Sequence, residues 1–60
     1  MTRNLYSVSP GERPVLVREV VQMTETVLFI DDEIADPFVL VVAETENRAY
    51  EIGAPVFMSD

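Results

Sequence analysis

The only cluster of residues that could do chemistry is Asp31, Asp32, Glu33 and Asp36, four carboxylates within six positions of a 60-residue chain. Hard cations such as calcium and magnesium require several oxygens converging on one point. This run lacks the alternating acids and central glycine of an EF-hand loop, and Ile34 and Ala35 interrupt it. The reading it favours is a solvated turn whose charges discourage edge pairing, with Asp31, Asp32, Glu33 and Asp36 retained only as a weak metal candidate. No metal or cofactor is expected. Two flanking carboxylates could also hydrolyse a glycoside, but that needs a substrate cleft, which a chain this short hardly builds.

Nucleophilic catalysis fares no better. Ser7, Ser9 and Ser59 carry hydroxyls, yet there is no histidine, cysteine or lysine to activate them or serve as nucleophile. Gly11 and Gly53 stand too far apart for a phosphate-cradling loop. The chain therefore reads as no enzyme.

Composition narrows the partners. Eleven acids against four arginines give a net charge of −7, which excludes a basic nucleic-acid groove and hence direct nucleic-acid binding. Without cysteine there is no disulfide framework. A domain of this size buries only about 60% of its unfolded surface and commonly gains stability from disulfides, metal or association. With the first excluded, association becomes the leading candidate. With 48% apolar residues the chain should nonetheless fold, as one small domain spanning 1–60 with an ordered core at about 5–58. Residues 1–10 show no signal-peptide pattern, and no apolar run reaches the roughly 18 residues of a membrane span. The expectation is a soluble, cytoplasmic protein without membrane contact.

The elements that must carry any surface are organised around Phe38–Ala43, the most apolar run in the chain. As a strand it would send Phe38, Leu40 and Val42 to one face and Val39, Val41 and Ala43 to the other. Ahead of it, Leu5, Tyr6 and Val8 follow a frayed start and suggest a short strand, and Ser9–Pro14 contains Pro10-Gly11, a pair suited to a type II turn. Val15–Met23 is divided. Arg18, Glu19, Gln22 and Glu25 would share one side of a helix at about 14–25, whereas four β-branched valines favour a strand, with Glu19 as a misfit that a bulge could re-aim. The recurrence of Val-Leu at 15, 27 and 39, each followed by turn residues, supports the strand.

Val27–Ile30 reads as another strand. Asp36-Pro37 turns the chain into Phe38–Ala43, Glu44–Arg48 should close a hairpin, and Ala49–Ile52 should return antiparallel. Gly53-Ala54-Pro55 would break that strand before Val56–Met58, with Phe57 as a lid. Arg48 with Glu46, or Arg18 with a cross-strand glutamate, are the ion pairs to expect. Five short segments make the fold all-β, a small five-stranded meander that resembles in architecture the SH3-like barrels. The alternative is α+β with the helix at about 14–25.

Neither Val27–Ile30 nor Phe38–Ala43 has a polar side, and a chain this short cannot cover both faces. Contiguous exposed apolar surface on a soluble protein marks a partner site. The function expected is therefore a non-catalytic interaction module or accessory subunit that self-associates, as a homo-oligomer, or docks on a foreign protein. Phe29, Phe38, Val39 and Val41 are the candidate contacts, with the buried parity left open. The alternative is an acidic inhibitor that mimics nucleic acid to occupy a DNA-binding protein.

Overall fold

The computed structural model describes residues 2–21 and 24–58. Four strands, β1 (Thr2–Val8), β2 (Val15–Val21), β3 (Thr26–Asp31) and β4 (Phe38–Ala43), precede one helix, α1 (Glu46–Met58). The strands form a single antiparallel sheet in the order β2-β1-β4-β3. The apolar run Phe38–Ala43 thus occupies an interior position between β1 and β3, and β2 and β3 are the edges.

The β1–β2 connection follows its sequence signal. Gly11 has a φ of 72° and the Glu12 amide donates to the Ser9 carbonyl at 3.3 Å, so Pro10 and Gly11 occupy the centre of the turn, where the second position requires positive φ. Residues 15–21 form the strand that their β-branched content favours, and not the alternative helix at 14–25. Gln22 and Met23, the end of that expected strand, lie outside the described residues. The bulge is also present. Leu5 is opposite Arg18 and Tyr6 opposite Leu16, which leaves Val17 as the extra residue and re-phases the strand, so that Arg18 shares a face with Val15, and Glu19 with Leu16.

The five-stranded barrel is not formed. Where a closing hairpin and a fifth strand at Ala49–Ile52 were expected, residues 46–58 make one continuous helix, so the chain is α+β with its helix at the C-terminal end. Thr45 starts it: its Oγ1 accepts the Arg48 amide at 3.1 Å and its carbonyl accepts the Ala49 amide at 3.0 Å, satisfying donors that a helix start otherwise leaves unpaired. Glu46 in the first turn complements the positive end of the helix dipole. Ala49, Ile52, Gly53, Val56 and Phe57 recur with the spacing of one helical face, and that face is the one laid on the sheet. Pro55 lies inside the helix. The bond its missing amide forgoes would have gone to Glu51, an exposed residue whose carbonyl water can satisfy. Phe57 is accordingly one of the helix's own core contacts and no separate lid.

Helix α1 lies across β4 and β1 and reaches β3. Opposed residues of an antiparallel sheet share a face, and the register assigns the faces. Tyr6, Val8, Val39, Val41 and Ala43 join Ala49 in the buried cluster beneath the helix, with Val27, Ile52, Val56 and Phe57 around it. Val8, Val39 and Val41 are fully out of water.

Candidate interaction face

The opposite face of the sheet is built from the other parity. One row runs Arg18, Leu5, Val42, Thr26 across the four strands, and the next runs Val15, Ser7, Leu40, Phe29. Phe38 and Asp31 begin a further row at one end, and Arg3 with Val20 forms one at the other. Among the described residues no helix or strand lies over this face. Its middle is already out of water, Val42 at 0% exposure and Leu5 at 9%, while its margins are open, Val15 at 63% and Phe29 at 50%. Phe29 packs against Phe38 with ring centroids 5.9 Å apart and planes tilted by 41°, within the range of favourable aromatic pairing.

Register divides the four candidate contacts. Phe29 and Phe38 belong to the uncovered face, whereas Val39 and Val41 are completely buried beneath α1 and belong to the core. Sequence reasoning could not choose the parity because both halves of Phe38–Ala43 are equally apolar. The helix stripe Ala49/Ile52/Gly53/Val56/Phe57, which packs on the odd-numbered β4 residues, was also missed. Leu5, Val15 and Leu40 join Phe29 and Phe38 on the open side and were not singled out from the sequence.

Edge strand β2 adds to the exposed apolar surface. Leu16, Val17 and Val21 are each more than half exposed there. Edge β3 likewise exposes Leu28 and Ile30. Arg18 and Glu19 are the charges within β2, and neither Pro nor Lys, the residues that commonly blunt an edge, occurs there.

Most of the acids stand away from this face; Asp31 lies on it and Glu44 at its end. Glu25 and Glu51 flank Arg48 on the helix side, with Arg48 to Glu25 at 3.0 Å and to Glu51 at 3.5 Å. These replace the Arg48–Glu46 pair expected from sequence, since Glu46 instead meets Arg13 at 3.3 Å. The hydrogen bond and charge of Glu25 raise the Arg48 pKa above its ordinary value, so Arg48 stays charged throughout the accessible pH range. Arg3 meets Glu44 at 3.6 Å at the end of the open face.

Asp31 Oδ1 accepts the Glu33 amide at 3.1 Å, which makes the start of the acidic segment a local turn, and Ile34 is fully exposed within it. Among the described residues no three Asp, Glu, His or Cys side chains gather as a metal site.

A groove of about 750 Å³ runs between the β1–β2 turn and α1, lined by Glu12, Arg13, Glu46, Tyr50 and Glu51 among others. The Arg13–Glu46 pair spans its two sides. A smaller apolar recess of about 190 Å³ adjoins it at Pro10, Tyr50, Phe57 and Met58. Neither brings a serine hydroxyl to a basic side chain that could activate it. No helix of the described residues is long and apolar enough to cross a membrane. No protein-family model, curated protein or solved structure matches the chain.

Proposed function

We propose that this chain is a non-catalytic protein-interaction module that docks through the uncovered face of its sheet. The observation that carries the reading is the placement of helix α1. It buries Val39 and Val41, while Phe29, half exposed on the other side, packs on Phe38 beside Leu40, and among the described residues no helix or strand lies above them.

The acidic-mimic alternative draws less support, because the carboxylates are dispersed among the β1–β2 turn, the β3–β4 loop and the flanks of α1 instead of following one stripe. Photo-crosslinking in the producing cell tests the proposal. A benzophenone side chain replacing Phe29 should give discrete protein adducts, and the same group at Glu51 on the helix should not. Absence of adducts at position 29, with the protein folded and abundant, refutes docking through this face.

A further inference from the structure

We infer that the occupant of this face is a second copy of the chain, joined about a twofold axis with the strands of the two sheets crossing steeply; this rests on the interaction-module reading above. Charge placement is the first argument. A homodimer of a −7 chain must keep its acids apart, and here most of them stand on the helix side or in loops. Among the described residues the charges of the open face are confined to Arg3, Arg18 and Asp31, with Glu44 at its end holding Arg3. Closing two such faces places the helices and their carboxylates on the outside, separated by two sheets packed about 10 Å apart. That separation exceeds the Debye length of about 8 Å at physiological salt.

The two remaining charges set the geometry. Arg18 is on edge strand β2 in the row of Leu5, and Asp31 is on the opposite edge, β3, in the row of Phe38 toward the other end. They stand diagonally opposed across the face, Asp31 at a corner and Arg18 one row in from Val20. A twofold axis perpendicular to the line that joins them, midway between the two sheets, carries Arg18 of one copy over Asp31 of its partner, and the reverse. The same operation turns the partner's strands to cross at roughly 90°, one of the two standard ways in which sheets pack. Phe29 and Leu40 then fall within the contact.

Area sets the strength. Four strands about 4.8 Å apart and six residues of about 3.3 Å make a face of roughly 380 Å² in projection, short of the ~800 Å² of accessible surface per partner that stable complexes bury. Side-chain relief and the exposed rim at Val15 raise the figure, but the contact stays in the weak class. The dimer should therefore be weak and readily reversible.

Sedimentation equilibrium of the whole chain from about 1 μM to 1 mM tests the inference, since a weak interface of this kind spans that range. The expected result is a reversible monomer–dimer equilibrium. Arg18→Glu and Asp31→Arg should each weaken it about tenfold by opposing like charges, and the double variant should return it toward wild type. Recovery in the double variant separates charge pairing from damage to the Asp31 turn, and circular dichroism confirms that each variant is folded. A wild-type monomer up to 1 mM overturns the second-copy inference, yet leaves the module reading standing if Phe29 still crosslinks to another protein. A dimer indifferent to both charge reversals, or a double variant no better than the singles, overturns the crossed twofold arrangement.

Discussion

Replacing Gly53 by alanine sets helix propensity against packing, and the geometry of this contact decides which wins. In an open helix the change would stabilise by about 1 kcal/mol. Here the new Cβ would lie 3.0 Å from Val8 Cβ, 3.1 Å from Val8 Cγ1 and 3.1 Å from Val39 Cγ2, well inside the carbon–carbon optimum of about 3.5–4.0 Å. Rotation about χ1 cannot move Val8 Cβ, because that atom is bonded directly to the backbone of an interior strand. Relief requires lifting α1 from β1 and β4, which thins the contacts of Ala49, Ile52, Val56 and Phe57. Overpacking of this kind costs about 1–3 kcal/mol, so the net effect is a loss of about 1 kcal/mol, or roughly 4–8 °C in Tm for a domain this small. Ala54→Gly, the neighbouring position, removes propensity without adding an atom and should lose a similar amount. Thermal and urea unfolding of both variants give the answer, read at one protein concentration because association would shift Tm. If Gly53→Ala melts above wild type, α1 does not sit as closely on Val8 as described and the account of the core fails.

Thr45→Ala removes the side chain that accepts the Arg48 amide and should destabilise by about 1 kcal/mol, seen as a lower urea midpoint with an unchanged slope. Pro55→Ala restores a helical amide and should raise Tm, by less than the roughly 3 kcal/mol difference in propensity because proline also restricts the unfolded chain; a lower Tm would show that α1 is not continuous through residue 55. Millimolar calcium should leave Tm where matched ionic strength puts it, since Asp31 is engaged with the Glu33 amide; a rise of several degrees that vanishes in Asp31→Asn and Asp32→Asn would refute this.

What could be read from the sequence divides along a physical line. Strand propensity and turn chemistry are local, so β2, the Pro10-Gly11 turn, the apolar strand at 38–43 and even a bulge in β2 were accessible from residue types alone. The C-terminal helix was hidden by two local signals that tertiary contact overrides. Gly53 reads as a break until Val8 and Val39 are known to occupy the space a side chain would need, and Pro55 reads as a stop until the acceptor it leaves behind is seen to fall on an exposed turn. The same misreading concealed the face assignment. With residues 49–52 taken as a strand, nothing distinguished Val39 and Val41 from Phe38 and Leu40; once α1 is laid on the odd-numbered side, the even-numbered side has no cover left in the described chain. The aromatic pair Phe29–Phe38 therefore changes meaning with the helix: in a closed barrel of five strands it could have been core, but in a sheet covered by α1 on one side it lies on the side that no described helix or strand covers.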